Sequence, residues 1–325
     1  MKVLQKVLAP LCLSLASMLA FGSDDYPSKP VTIVVPYSAG QVDVFTRALA
    51  KGLSEEWKQP VIVDNRPGGN EVVGADTVSK AAPNGYTILI GTEASYLLNP
   101  LLFKKLTYNP EKQLAPITLA VQAPLVFLAS ASSKANTMKE FIELAKSRKG
   151  DPIRYGSSGV GGVTHLPYAN LSREHGLTLI HAPYKGGGAV MQDLLAGHIE
   201  SALLGAGLVA PSIKAGKLKA LAVSGTTRTL ALPDVPTFTE MGIPDIGAVY
   251  TLGLAVPTGT PQTIVNKIAQ DVKKVLAKPG FRETNLDPFG FTAIASDPQG
   301  FANYLRTNRP LQERLVKDSG AELDM

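Results

Sequence analysis

The sequence predicts an α/β protein of two domains, and three observations carry that reading. Short runs rich in Val, Ile and Leu recur along the chain without polar alternation, as expected of strands buried on both faces of a parallel sheet. A small-residue loop and then a helical pattern follow most of them, which is the βαβ order. The chain has 325 residues with 30 Gly and 24 Pro. That is long for one ordinary core and too often punctuated for a bundle of long helices.

The elements follow in order. Residues 31–36 (VTIVVP) form the first strand, and Tyr37-Ser38-Ala39-Gly40 is a small-residue turn. A helix starts at Asp43, with Val44, Ala48 and Leu49 inward and Arg47 and Lys51 outward. Residues 61–64 are the second strand and Arg66-Pro67-Gly68-Gly69-Asn70 a loop. A helix over 72–82 stops at Pro83-Asn84-Gly85, and 87–91 (TILIG) is the third strand. Then come a strand at 125–128, a helix at 138–147 capped by Asn136/Thr137 and a strand at 153–156. The loop Ser157-Ser158-Gly159-Val160-Gly161-Gly162 leads to a helix that begins near Thr164 and passes Ala169. Residues 177–181 form a strand, and Lys185-Gly186-Gly187-Gly188 opens a helix over 189–196. A strand at 201–204, part of a helix at 211–215 and strands at 218–223 and 252–256 follow. Thr260-Pro261 opens an amphipathic helix over 261–276. Residues 298–319 close the chain as helix broken at Pro310.

The first 22 residues read as a secretory leader. Lys2 and Lys6 give a positive start, 7–21 is uncharged and apolar, and Ala20 and Gly22 precede a cleavage point before Ser23. Pro10, Ser14 and Ser17 interrupt the run, which is too short for a membrane span. Cys12, the single cysteine, lies inside this leader behind Leu11, not the small residue a lipidation site needs. The mature chain therefore has no disulfide and no thiolate metal site, and is expected to be a soluble monomer in the periplasm.

Composition excludes other classes. Apolar residues make up 45% and charged residues 18%, which rules out a disordered chain. The formal charge is +5 from 32 Lys+Arg and 27 Asp+Glu. Without Lys2 and Lys6 it is 30 − 27 = +3, too weak and unclustered for nucleic acid.

The stretch from Ser157 to His165 is the most informative. It offers hydroxyls and free N–H groups at a helix start, which suits a carboxylate, although a plain strand–helix turn has the same composition. Gly159 and Gly161 match part of G-x-G-x-x-G, but Thr164 holds the last glycine place, so a dinucleotide site is not indicated. In Tyr184-Lys185-Gly186 a Gly follows the Lys, which does not fit a Walker loop. His165, His175, His181 and His198 lack metal-ligand spacing, and there is no G-x-S-x-G elbow. The sequence points to no catalytic residues, no cofactor and no metal. It reads as a binding protein, not an enzyme.

Segments along nearly the whole mature chain resemble the periplasmic solute-binding proteins of tripartite tricarboxylate transporters, the Bug family. They are Tyr26-Pro27-Ser28-Lys29-Pro30, Val34-Val35-Pro36-Tyr37-Ser38-Ala39-Gly40, Asp64-Asn65-Arg66-Pro67-Gly68, Ala81-Ala82-Pro83-Asn84-Gly85-Tyr86-Thr87 and Leu89-Ile90-Gly91-Thr92. Asn99-Pro100, Ala182-Pro183-Tyr184-Lys185-Gly186-Gly187, residues 215–223, Leu232-Pro233-Asp234-Val235-Pro236-Thr237 and Pro257-Thr258-Gly259-Thr260-Pro261 continue the match. The resemblance implies a type II periplasmic-binding-protein fold, a Venus flytrap of two lobes, each a mostly parallel sheet flanked by helices. Lobe one spans 23–123 plus 250–325 and lobe two 124–249. The implied function is capture of a small organic carboxylate by lobe closure and its delivery to membrane permease subunits. The alternative is a subunit that presents the bound ligand to a sensor kinase.

Carried over position by position, the implied ligand residues are Tyr37, Ser38, Ala39, Gly40 and Asp43 in the first loop, which is one residue shorter than usual. Thr92 and Glu93 follow in the third, then Ser157, Ser158, Gly159, Thr164 and His165 in the second lobe. Glu93 stands where the family is small and neutral: it faces solvent, or it receives an ammonium or ring N–H of the ligand. Gly205 and Ala206, with Gly207, replace a place where the family often has Asn and Pro. That loses an amide contact and opens space for a bulkier ligand.

Overall fold

The computed structural model describes residues 26–323 except 39, 149, 226, 244 and 245. The expected leader at 1–22, its cleavage point and Ala39 lie outside the described residues. The first strands and helices are β1 (Val31–Val35), α1 (Gln41–Trp57), β2 (Val61–Asn65), α2 (Val72–Ser79) and β3 (Thr87–Gly91). A π-helical turn (Ala94–Leu98) runs into α3 (Asn99–Leu102), and α4 (Pro110–Gln113) precedes the long β4 (Leu114–Ser130). Then come α5 (Met138–Ser147), β5 (Ile153–Ser157), α6 (Leu166–His175), β6 (Leu179–Pro183), α7 (Gly187–Ala196), β7 (Ser201–Gly205), α8 (Ala206–Lys214) and β8 (Leu218–Val223). The chain ends in β9 (Val249–Pro257), α9 (Gln262–Leu276), α10 (Phe281–Asn285), β10 (Thr292–Ala293) and α11 (Pro298–Ser319).

The strands join in the order β2-β1-β3-β9-β4-β7-β5-β6, with β8 and β10 also on β4. β1 lies parallel to β2 and β3, and β5 parallel to β6 and β7. β4 belongs to both halves. Its residues from Leu114 to Pro124 pair antiparallel with β9, and those from Leu125 to Ala129 with β7. One strand thus changes partners between Pro124 and Leu125. The sequence reading found only four of its residues as strand, because β4 is buried along most of its length and carries no turn signal to set its bounds.

Each half buries its own core. In the first, Ile33, Phe45, Leu49, Leu53 and Ile90 pack with Val265, Ile268 and Val272 of α9. In the second, Phe127, Phe141, Tyr168 and Phe238 pack together, with the Phe127 and Tyr168 ring centroids 4.6 Å apart. α11 touches both. Its Leu315 and Val316 cluster with Leu98 and Leu102 of the first half and Leu166 of the second, and Arg173 of α6 pairs with its Asp318 at 2.9 Å.

Two expectations change. α11 runs unbroken through Pro310. Pro310 and Arg306 both lie on the exposed face, so the carbonyl that loses its donor faces water. α1 begins at Gln41, and Val44 is 46% exposed while Val42, Phe45, Leu49 and Leu53 are buried. Val42, Phe45, Leu49 and Leu53 follow the helical spacing of one apolar stripe, and that spacing leaves Val44 on the solvent side. The Thr137 cap on α5 is present, its hydroxyl accepting the Glu140 N–H.

Candidate functional site

The loops after the strands meet between the two halves and enclose two adjoining cavities. One of about 260 Å³ is lined by Tyr37, Ser38, Gly40, Gln41 and Val42 on one side and by Ser158, Thr164, Lys185 to Ala189, Gly205 and Leu208 on the other, with Leu125 and Tyr250 between. The second, about 330 Å³, shares Tyr37, Ser38, Ser158 and Lys185 and adds Asn70, Glu71, Thr92, Ala94 and Gly159.

The first cavity is built to receive negative charge. α1 and α7 come from opposite halves, and both begin on it. Neither has a side-chain cap, so side chains do not take the first N–H groups that a helix leaves without partners. Gly186 before α7 has φ 148°, a conformation that requires glycine. Lys185 is the one cationic residue in either lining and has no ion pair among the described residues. Ser158 donates its N–H to Thr164 Oγ1 at 2.9 Å, and the two hydroxyls are 2.9 Å apart.

The second cavity has a carboxylate in its wall. Glu71 is 2% exposed and accepts from the Tyr37 hydroxyl, from the Thr92 hydroxyl, from the Thr92 N–H at 3.0 Å and from Ser95 Oγ at 2.5 Å. Burial raises its pKa above the ordinary value, and these four hydrogen bonds pull the other way.

The sequence-predicted residues divide accordingly. Tyr37, Ser38, Gly40, Ser158, Thr164 and Gly205 line the first cavity, and Thr92 and Gly159 the second. Asp43, Ser157, His165, Ala206 and Glu93 are in neither lining. Asp43 is held by Arg47 Nε at 2.9 Å and Asn65 Nδ2 at 2.9 Å. Burial alone would raise its pKa, but these partners keep it below the ordinary value. Ser157 donates to the Gly159 carbonyl at 2.9 Å and sits 2.7 Å from His181 Nε2. His165 Nδ1 accepts the Gly161 N–H at 3.0 Å and its ring stacks on His181 at 4.0 Å. Burial lowers both histidines to about 4, so the pair is neutral at pH 7. These residues shape the loop from behind.

Glu93 faces neither solvent nor the cavities. It is 2% exposed and accepts from the Thr251 hydroxyl and from the Tyr304 hydroxyl at 2.7 Å. The turn after Thr92 continues as helix and carries its side chain inward, toward β9 and α11. The space at Gly205 is also not open. A Cβ there would lie 2.3 Å from Gln41 Oε1, and one at Gly207 would lie 2.1 Å from the Phe289 Cα. Gln41 of the first half fills the space at Gly205, and its Nε2 donates to the Phe289 carbonyl at 3.0 Å.

The family model described as "Tripartite tricarboxylate transporter family receptor" matches residues 45–321. The chain belongs to this family, also called the Bug family. The receptor is 33% identical over 316 residues to the UPF0065 protein in the gbd 5'region of Cupriavidus necator, covering 96% of this chain and 94% of that one. Among solved structures, R. palustris Rpa4515 with adipate superposes with a TM-score of 0.87 at 27% identity, covering 92% of this chain and all of that one. MatC from Rhodopseudomonas palustris with bound malate gives 0.83 at 27% identity, over 90% of this chain and 100% of that one. The fold is that of the periplasmic binding proteins, and the family's members are solute-binding proteins, not enzymes. No helix among the described residues is long and apolar enough to cross a membrane.

Sequence reasoning missed Glu71, Lys185, Gln41 and Tyr250. Glu71 had one visible signal, an acid placed directly after Gly68-Gly69-Asn70 and before a helix. Lys185 was read only as part of a failed phosphate loop. Gln41 and Tyr250 carried no signal, since their roles depend on the opposite half of the molecule.

Proposed function

We infer that this receptor captures a small organic carboxylate in the periplasm and delivers it to the permease subunits of its transporter. The observation that carries this reading is the pair of uncapped helix starts, from α1 and α7, that open on one cavity beside the unpaired Lys185. Ser38, Ser158 and Thr164 add hydroxyl donors on both sides. The adipate and malate in the two R. palustris structures support the same ligand class. The lobes are 23–123 with 250–325, and 124–249, after loss of the leader at 1–22. A ligand that touches both stabilises their closed arrangement by its differential affinity for that state.

Native mass spectrometry of protein purified without refolding should weigh a carboxylate bound to the chain, and calorimetry with that compound should give one site. Solution scattering should show a smaller radius of gyration with the ligand than without it, and the ligand should be recovered unaltered. Failure of every carboxylate in a panel of C3 to C8 mono- and diacids to bind would overturn this reading.

A further inference from the structure

On the reading that the cleft takes a carboxylate, the structure narrows which one. Glu71 lies in the wall of the second cavity and is the one carboxylate in either lining. Its two oxygens take four donors around it: the Tyr37 hydroxyl, both donors of Thr92 and the Ser95 hydroxyl. Tyr37 keeps its proton to donate, since burial and the neighbouring Glu71 charge hold its pKa well above the ordinary value. Two consecutive non-glycine residues hold this arrangement in the left-handed region, Asn70 at φ 52° and Glu71 at φ 74°. Side chains rarely adopt that backbone, and its retention at a cleft marks a constraint there.

A second carboxylate of a ligand reaching this wall would meet the Glu71 charge and find the donors of Tyr37, Thr92 and Ser95 already taken. Like charges at close range in a partly dry site are strongly unfavourable. The first cavity differs, because its helix starts remain free and no carboxylate lines it, while Lys185 borders both cavities. Its lining is otherwise largely apolar, with Val42, Leu125, Leu204, Leu208 and Tyr250. We propose that Glu71 is a resident carboxylate that occupies the second anion cradle, so that this receptor selects monocarboxylates with an apolar body and rejects dicarboxylates.

The test uses chain-matched pairs, hexanoate with adipate and butyrate with succinate, titrated calorimetrically into the mature protein. Wild type should bind the monoacid of each pair about tenfold or more tightly than the diacid. Glu71→Gln removes the charge and Glu71→Gly frees the donors in a backbone conformation glycine favours. Both should shift the ratio toward the diacid by about tenfold or more. Glu71→Gln keeps an acceptor for the same donors, so it serves if the glycine variant does not fold. A residue that only braced the loop would change both affinities together and leave the ratio fixed. A wild type that prefers the diacid, or a ratio unmoved in the folded variants, would overturn the resident carboxylate while leaving a carboxylate receptor intact. Binding of neither acid of either pair, nor of any in the C3 to C8 panel, would instead overturn the carboxylate reading and this proposal with it.

Discussion

Both donors of Thr92 end on Glu71: the backbone N–H on one carboxylate oxygen and the hydroxyl on the other. The two residues stand 21 positions apart, on either side of α2 and β3. Their pairing ties the loop after β2 to the loop after β3. It also places a carboxylate in the wall of one cavity, while the two helix starts open on the other and Lys185 borders both. Four further outcomes follow from this arrangement and from the groups buried behind it.

Ser158 links the two cavities. Its hydroxyl contacts Thr164 Oγ1, and Thr164 also holds the Ser158 N–H. Ser158→Ala leaves the second bond in place, so the melting temperature without ligand should stay nearly constant. A lost hydrogen bond to a charged ligand costs about 1.5–3 kcal/mol, roughly tenfold or more in Kd. Calorimetry with the ligand identified by mass spectrometry would measure this, and unchanged affinity would place the anion elsewhere.

Lys185→Met removes the unpaired cation but keeps an unbranched stem. Because the side chain is exposed, its contribution is screened, and affinity should fall by about 1 kcal/mol, roughly fivefold. The loss should be larger at low ionic strength and shrink as salt is raised, since an exposed pair is screened over about 10 Å at 0.1 M salt. Titrations across a salt series separate this from a packing defect, which would not depend on salt.

Glu93 predicts a pH dependence of stability. Burial raises its pKa from 4.5 to about 7, although Thr251 and Tyr304 donate to it. The folded state therefore holds a proton that the unfolded chain releases. The contribution is fully present below pH 4.5 and is lost as pH rises through about 7. The loss is on the order of 2–4 kcal/mol. Glu93→Gln should flatten the unfolding free energy over this window and raise it above wild type at pH 8. Denaturant unfolding at several pH values would show it, and an unchanged slope would mean Glu93 is ionised in the fold.

His165 and His181 act in the opposite sense. Burial lowers each from 6.5 to about 4, with the His181 charge adding to the effect on His165. The unfolded chain takes up protons that the folded stack refuses, so stability is full above pH 6.5 and falls as pH drops toward 4. His181→Gln should reduce this acid loss. Tyr155 stacks on His181 at 5.0 Å, so the variant should also broaden the NMR signals of the Ser157–Thr164 loop that the stack supports. Retention of the full acid slope would show that other groups take up those protons.

Local architecture was legible in the chain before any packing. Residues 87–91, 138–147 and 218–223 match β3, α5 and β8 at both ends, because apolar period, caps and Gly/Pro breaks are short-range signals. The sequence also placed the small-residue loops after the strands, and with them Ser38, Ser158, Thr164 and Thr92. What it could not give is the direction of a side chain once two elements pack. Glu93 and Glu71 are both acids in or beside small-residue loops, with no local feature to separate them. Only the fold sends one into the packing against β9 and α11 and the other into the cavity wall. Gly205 reads as empty space until Gln41, 164 residues earlier, fills it. β4 reads as a four-residue strand until its pairing with β9, β7 and β8 shows one strand serving both halves. Backbone propensity is decided within a few residues. Charge placement, burial and shape at the cleft are decided by partners distant in the chain, 21 to 34 residues away for Glu71 and 158 or more for Glu93 and Gly205, and these meet only once the elements have packed.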